Sequence, residues 1–162
     1  MTTTRPVQKP ITGKEDLGDL TRPEAALAQF YRAFNGRDMA LMQQNWDTSE
    51  KAAMDNPLGG IKRGWPEIRS VYERLFSGPA RVRVEFFDYT LHVFDTVFFA
   101  VGRERGQLEA GNDVLELAIR TTRIFRSTGG RWRQVHHHGS IDQLDLLAAY
   151  QAAVKKSWGP AP

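Results

Sequence analysis

The sequence predicts one α+β domain in which helices pack on one face of a curved, mostly antiparallel sheet. Three observations indicate this. The 162 residues are 41% hydrophobic, which is enough to form the core of one domain. Helical periodicity dominates the chain after a polar N-terminal segment. Consecutive strand patterns then fill the second half, and one more helix pattern follows them.

The first half of the chain contains three predicted helices. Thr21 is a good N-cap for the first, whose apolar residues recur at helical spacing until Asn35-Gly36 ends it. Asp38 caps a short second helix. The third begins at Pro66 and ends at Gly78-Pro79, because proline fits the first turn of a helix but not its interior.

Strands dominate the second half. Short strands are predicted between residues 51 and 64, and four longer ones follow the third helix: Val82–Phe87, Thr96–Arg105, Val114–Arg126 and Arg131–His138. Ser140 with Gln143 matches the capping-box pattern, which predicts a C-terminal helix. We expect this helix to pack on the outside of the sheet or on a partner subunit. The predicted division is a flexible N-terminal tail over 1–20, a domain over 21–140, and a C-terminal helix and tail over 141–162.

Composition narrows the range of functions. The net charge is only +3 and the 22 lysines and arginines are scattered, which argues against nucleic-acid binding. The N-terminus lacks the apolar segment of a signal peptide, and no 18-residue apolar span occurs, so we expect no membrane partner and a cytoplasmic protein. The chain has no cysteine for thiolate chemistry, and we predict no bound cofactor.

The most informative functional pattern is a predicted hairpin, in which two strand patterns flank the four-residue loop Ser127–Gly130. If Arg126 pairs with Arg131, side-chain alternation places one cationic, titratable set on a single face of the sheet: Thr121, Arg123, Gln134, His136 and His138. His137 then takes the opposite face and points towards solvent or a partner subunit. One β-bulge would break this register.

Arg123 on that face is a candidate for binding a ligand carboxylate, since a guanidinium can bind a carboxylate through two parallel hydrogen bonds. A surface or salt-bridged arginine is the alternative, and the same two interpretations apply to Arg103. His136 and His138 are candidates for a general acid/base pair or for orienting a ligand, and the alternative is a buried, hydrogen-bonded pair. Metal binding needs a third ligand that no spacing supplies, so we predict no metal site.

Three further residues complete the candidate site. Asp55 directly precedes Asn56-Pro57, where it either reaches the pocket mouth as a base or forms an Asx turn. Tyr31 and Trp46 either line the ligand pocket or belong to the core, as aromatic residues at helical spacing usually do.

Several motifs resemble those of the nuclear transport factor 2-like superfamily, in its SnoaL-like branch. They are Ala33-Phe34-Asn35-Gly36-Arg37-Asp38, Asn56-Pro57-Leu58-Gly59, Arg63-Gly64-Trp65 and the segment from Gly130 to Ser140. The last is similar to the association (hub) domain of calcium/calmodulin-dependent kinase II, through Trp132, Val135, His136, His138 and Ser140 after Thr122-Arg123-Ile124-Phe125. The resemblance covers about Pro23 to Asp142. It implies a cone-shaped fold with three N-terminal helices on the sheet, a deep pocket to which Arg103 also contributes, and a homodimer formed through the sheet.

The superfamily includes ketosteroid isomerases, whose pattern can be compared with this chain residue by residue. The isomerase base directly precedes a Pro-Val-Gly, a position that Asn56 fills here, and the isomerase tyrosine aligns with Phe30. An amide cannot act as that base, and a phenylalanine cannot donate to an enolate oxygen. Asp55 and Tyr31 are each one position away and therefore point in different directions. The comparison argues against steroid-type isomerisation.

We therefore expect a small-molecule-binding protein whose pocket suits an anionic or carbonyl-bearing organic ligand. One alternative is a cofactor-independent enzyme that transfers protons as a dehydratase, cyclase or isomerase, with Asp55 or the pair of His136 and His138 as base and acid. The other alternative is a non-catalytic oligomerisation module. The fold alone does not distinguish these functions.

Overall fold

The structure, a computed structural model, describes residues 2–159, which contain four helices and six strands. Met1 and residues 160–162 of the predicted tails lie outside this range. The elements in chain order are α1 (Pro23–Gly36), α2 (Met39–Asn45), β1 (Ala53–Asp55), β2 (Lys62–Arg63), α3 (Gly64–Ser77), β3 (Arg81–Val93), β4 (Val97–Ala110), β5 (Asp113–Thr128), β6 (Arg131–Ser140) and α4 (Leu144–Ser157). The α+β prediction is confirmed.

The six strands form one sheet in the order β2-β1-β6-β5-β4-β3. The pairs are antiparallel except that β1 runs parallel to β6. One face, here called the inner face, is buried beneath the helices, as alternate residues of β4 such as Phe98, Ala100 and Leu108 show. The opposite face is called the outer face. This confirms the predicted curved, mostly antiparallel sheet with its helices.

Local patterns predicted the helices well, but two of the predicted caps are wrong. Asp38 does cap α2, since its side chain accepts a hydrogen bond from Leu41 N at 2.9 Å. Thr21 does not cap α1, because its hydroxyl donates to Asp19 Oδ1 at 2.6 Å instead. Ser140 does not cap α4, because it is the last residue of β6 and pairs with Arg120. Within residues 2–159, no helix combines the length and apolar composition needed to cross a bilayer.

The segment predicted to be a flexible N-terminal tail has backbone partners along β3, which is an edge strand. Val7 N donates to Tyr89 O at 2.7 Å, and Ile11 and Phe86 exchange two backbone hydrogen bonds. Gly13 then has a φ of +87°, and a Cβ there would overlap the backbone of α1. Isolated bridges of this kind need no hydrophobic periodicity, which is why composition did not predict them. They cover part of an exposed sheet edge.

The hairpin between β5 and β6 has a different turn from the predicted one. The two strands are joined by Gly129-Gly130 alone, and both glycines have positive φ, as two-residue hairpin turns often require. The strands therefore pair further along the chain than expected, and Arg126 lies opposite Arg133 instead of Arg131. The predicted four-residue loop is wrong, because Ser127 and Thr128 continue the strand.

A β-bulge at Val135 changes which face the histidines occupy. Gln134 pairs with Phe125 while His136 pairs with Ile124, so Val135 is left without a partner and alternation reverses after it. His137 consequently lies opposite Arg123 on the inner face and is buried, whereas His136 and His138 lie on the outer face. The prediction that His136 and His138 share a face with Arg123 is wrong, and so is the outward position predicted for His137.

Candidate functional site

A buried ion pair forms the floor of the inner face. The side chains of Arg123 and Glu104 are 2% and 5% exposed, and Arg123 Nη2 donates to Glu104 Oε1 at 2.8 Å. Arg123 Nε donates to the Tyr31 hydroxyl at 3.1 Å and Nη1 donates to Gln134 Oε1 at 2.9 Å. The Tyr31 hydroxyl in turn donates to Glu104 Oε1 at 2.6 Å. The guanidinium therefore has partners on all three nitrogens.

The electrostatics keep this group of residues fixed. Burial raises the pKa of Tyr31 well above its ordinary value, so its hydroxyl retains the proton that it donates to Glu104. Burial by itself would lower the pKa of Arg123, but the neighbouring Tyr31 and Glu104 outweigh that effect and raise it. The Arg123 guanidinium also lies 3.5 Å from the centroid of the Phe30 ring, where a cation is attracted to the aromatic face. The pair is a neutral, internally satisfied unit.

His137 lies on β6 directly opposite Arg123, and it is 6% exposed. Both of its ring nitrogens are buried and have no hydrogen-bond partner among the described residues. Burial, together with the nearby charge of Arg123 and with His136 and His138, lowers the pKa of His137 well below its ordinary value. The imidazole is therefore neutral, with one donor and one acceptor unused.

A cavity of about 40 Å³ lies between the inner face, α1, α3 and α4. Its polar and aromatic wall includes Phe30, Asn56, Tyr72, Glu104, Arg123 and His137. A site of this size holds a water molecule, whereas pockets for organic ligands usually measure about 300–1,000 Å³. The cavity is thus small and mostly apolar, and the polar part of its wall includes Glu104, Arg123 and His137.

The C-terminal helix covers this cavity. Tyr150 of α4 is 5% exposed and belongs to the cavity wall, and Val154 is fully buried below it. Gln151 Nε2 donates to Pro57 O at 3.0 Å, which ties α4 to the loop after β1. The prediction that this helix packs on the outside of the sheet or on a partner is wrong, because its apolar residues fill the open end of the cone.

Asp55, His136 and His138 do come together, but on the outer face. Asp55 Oδ2 accepts a hydrogen bond from His138 Nδ1 at 2.7 Å, and Asp55 Oδ1 lies 3.5 Å from His136 Nε2. His136 Nδ1 donates to Ala53 O at 3.1 Å, since a carbonyl oxygen can only accept. The expected approach of Asp55 to the interior pocket is wrong, because β1 pairs in parallel with β6 and carries Asp55 on the face of His138.

The remaining histidine nitrogen, His138 Nε2, belongs to a side chain that is 51% exposed. An open groove of about 480 Å³ adjoins it, and Arg103, Arg120 and Thr121 also border this groove. Arg103 lies 3.5 Å from Asp88, and Arg120 lies 2.6 Å from Asp142. Arg103 is therefore an exposed outer-face residue and not the interior pocket arginine that the resemblance implied.

The predicted site residues thus divide between two places. Arg123, Tyr31 and Gln134 form the inner floor with Glu104, and Trp46 is fully buried in the same core. Asp55, His136, His138 and Arg103 contribute to the outer face or its groove. Thr121 also borders that groove, but its side chain is buried in the same row of β5 as Arg123. Prediction missed Glu104 and His137. Among residues 2–159, no group of three or more histidine, aspartate or glutamate side chains has an arrangement that could hold a metal ion.

Helices that cover a curved sheet around an interior cavity define the nuclear transport factor 2-like class of α+β proteins. Residues 24–142 match the family model of the SnoaL-like domain. The chain belongs to the SnoaL-like domain family, as its motifs predicted. No curated protein matches the chain.

Solved structures share this fold. A protein from Thiobacillus denitrificans named as a calcium/calmodulin-dependent protein kinase type II association domain is 26% identical, with a TM-score of 0.63 over 77% of this chain and 98% of that one. A protein from Streptomyces avermitilis named as a dehydratase of the NTF2-like family is 17% identical, with a TM-score of 0.69 over 76% and 96%. A ketosteroid isomerase-like protein from Erwinia carotovora atroseptica is 18% identical, with a TM-score of 0.63 over 80% and 98%. Phe30 and Asn56, which the sequence motifs align with the isomerase tyrosine and base, both line the cavity.

Proposed function

We propose that this protein binds a small carbonyl-bearing organic molecule in the cavity beneath α4. The observation that carries the proposal is His137, whose two buried nitrogens have no partner among the described residues. A buried polar group without a partner costs about 1–3 kcal/mol, and a ligand that makes a hydrogen bond with it offsets that cost. One imidazole N–H aimed at a carbonyl oxygen is the simplest match.

Charge favours a neutral carbonyl over a carboxylate. Arg123 is the cation of the cavity wall, but Glu104 neutralises it at 2.8 Å and Tyr31 and Gln134 occupy its other nitrogens. A ligand carboxylate would have to displace Glu104 or be buried beside it, and an unpaired buried charge is costly. Of the two ligand types predicted from the sequence, the carbonyl compound is the better match.

Entry requires α4 to move, since the closed cavity is smaller than an organic ligand. Tyr150 and Val154 are the buried side chains of α4, Leu146, Leu147 and Ala153 are partly buried against the core, and Leu144 at its start is 80% exposed. An element with few buried contacts opens at low free-energy cost compared with the core. Displacement of Tyr150 joins the cavity to the space outside.

A set of three probes with the same ring tests the proposal: acetophenone, benzoate and ethylbenzene. At ten times its Kd, acetophenone would stabilise the fold by about 1.4 kcal/mol, which raises Tm by roughly 3–5 °C. We expect this shift for acetophenone and smaller shifts for the other two. His137→Phe should abolish it, and the matched variant His92→Phe, which alters a histidine stacked on Phe99, should keep it. Equal shifts with all three probes, or an unaffected His137→Phe, would contradict the proposal.

A second candidate function is proton transfer at the outer face. The Asp55 carboxylate holds His138 Nδ1 at 2.7 Å and thereby leaves Nε2 as the nitrogen that can accept a proton. Arg103 and Arg120 border the same groove; each lies beside an aspartate, but both side chains are more than half exposed and can attract an anionic substrate. This arrangement favours abstraction of a proton next to the carbonyl of a 2-oxo acid, the first step of an isomerase or dehydratase.

Hydrogen–deuterium exchange at the methyl group of pyruvate measures that activity directly. We expect the protein to accelerate the exchange over buffer, and His138→Gln to lower the rate by about 10²- to 10⁴-fold, the usual contribution of a general base. His92→Gln is the matched control and should leave the rate unchanged. Exchange no faster than in buffer, or the same rate in His138→Gln, would remove this candidate.

We also propose the homodimer through the outer face that the family resemblance implies. Val101 of β4 is 42% exposed and Phe94 beyond β3 is 61% exposed, and a partner would cover such apolar surface. Two of the structural neighbours are named as association domains, which agrees with assembly through this fold. In such a dimer, His138 and the groove beside it would lie next to the partner subunit.

A further inference from the structure

A second groove borders α4 next to the cavity, along Gln151 and Lys155. It has a volume of about 450 Å³ and is enclosed by the loop after β1, by α3 and by α4. That volume falls within the range of small-molecule sites. The groove shares Asn56, Leu58 and Val71 with the wall of the interior cavity, but Glu104, Arg123 and His137 do not line it.

Its charges have one sign. Lys62, Arg74 and Lys155 come from three different elements and all line the groove, and none of the described lining residues is acidic. Among residues 2–159, none of these three cations forms an ion pair within 4.0 Å, unlike Arg69, which pairs with Glu73 at 2.6 Å. Several cations on one concave surface, with no acidic residue among them, produce a positive potential that attracts an anion.

The rest of the lining is apolar and aromatic. Trp158 lies at the end of α4, and the Arg74 guanidinium is 4.4 Å from the centroid of its ring. Met54, Leu58 and Val71 supply aliphatic surface at the same groove. A guanidinium that stacks on an indole contacts the ring through its flat face. Its N–H groups, which point outwards in the plane of the guanidinium, stay free to bind a planar acid group. The groove thus offers a cationic rim and an apolar wall together.

We infer that this groove binds an amphipathic organic anion, an aromatic carboxylate or sulfonate. The acid group lies among Lys62, Arg74 and Lys155, and the ring packs against Trp158 and Val71. This site recognises negative charge, which the neutralised Arg123 does not, and its three cations and Trp158 do not line the cavity of the proposed carbonyl site. The groove between α3 and α4, unlike the inner floor, therefore offers a carboxylate cations that have no ion-pair partner among residues 2–159.

Calorimetry with 2-naphthoate and its neutral amide, 2-naphthamide, tests the inference on the whole chain. We expect 2-naphthoate to bind at least tenfold more tightly than the amide and to weaken as salt is added, because the attraction between exposed charges is screened. The double variant Arg74→Gln/Lys155→Gln should weaken naphthoate binding at least tenfold. Lys156→Gln is the matched control, since Lys156 is an exposed neighbour that does not line the groove.

Each contrary outcome is decisive. No naphthoate binding up to millimolar concentration, or equal affinity for acid and amide, would overturn the inference. Naphthoate binding that persists in the double variant would also overturn the inference. If naphthoate binding were then lost in His137→Phe, the ligand would lie in the cavity instead. Failure of acetophenone to bind would contradict the carbonyl site alone, because Lys62, Arg74, Lys155 and Trp158 line the groove and not the cavity.

Discussion

Replacing Glu104 by leucine is expected to lower the free energy of unfolding by about 3–5 kcal/mol, the usual cost of leaving one partner of a buried ion pair unpaired. The Arg123 guanidinium is 2% exposed, so water cannot replace the lost carboxylate. Tyr31 and Gln134 would remain as partners, but neither carries a charge. Urea denaturation followed by circular dichroism measures the change.

The double variant Glu104→Leu/Arg123→Met should recover much of that loss, because it removes both charges and fills the space with apolar atoms. Arg103→Leu is the matched control: its ion pair with Asp88 is exposed, and such pairs contribute less than about 1 kcal/mol. A Glu104→Leu variant within 1 kcal/mol of wild type would show that the pair does not hold the inner floor together. If the double variant were as unstable as the sum of the single ones, the two charges would not be coupled.

The free energy of unfolding should fall by up to about 2 kcal/mol between pH 7.5 and pH 5 because of His137. Its pKa in the folded protein is well below 6.5, so below that pH the unfolded chain binds a proton that the folded chain excludes. The unfolded state is thus favoured as the pH falls, by about 1.4 kcal/mol per pH unit. The free energy of unfolding is therefore unaffected by His137 above about pH 6.5, and it declines as the pH drops from there towards the pKa of His137 in the folded protein.

His137→Gln should remove this loss, since glutamine does not titrate, and urea denaturation at pH 7.5, 6 and 5 measures both proteins. Glu15 and Asp47 also have lowered pKa values, but their ordinary values of 4.5 and 3.8 place their effect below this pH window. His92→Gln serves as the matched control and should keep the wild-type pH dependence. The same loss in His137→Gln as in wild type would show that His137 is accessible to protons in the folded state.

Much of the secondary structure could be predicted because its determinants are local. Asp38 caps α2 through a hydrogen bond to a backbone N–H three residues away, and Gly78 ends α3 before a proline. The family motifs extended this to the curved, mostly antiparallel sheet under the helices, but the order of its strands was not predicted. The cap predictions at Thr21 and Ser140 were wrong because each residue had a competing partner outside the helix, Asp19 and Arg120 respectively.

The residues of the candidate site were harder to predict, because the side chains on both faces of β4 include apolar residues. Phe98 and Ala100 share a face with Glu104, while Phe99 and Val101 share a face with Arg103. Alternation therefore could not tell which of these neighbouring charged residues faces the core. The glutamate faces inwards because Arg123 on the adjacent strand needs a counter-charge there. One cue was available: a buried arginine requires an acidic partner on a neighbouring strand.

Local sequence determined the element types and much of their order, as well as the presence of a basic and histidine-rich hairpin, because caps, turns and periodicity act within a few residues. Tertiary structure alone decided that His137 faces inwards and His138 outwards, since the bulge at Val135 depends on how β6 pairs with β5. It also decided that Arg123 is neutralised by Glu104 and that α4 covers the cavity. These outcomes depend on burial and pairing between residues far apart in the chain, which no local pattern encodes.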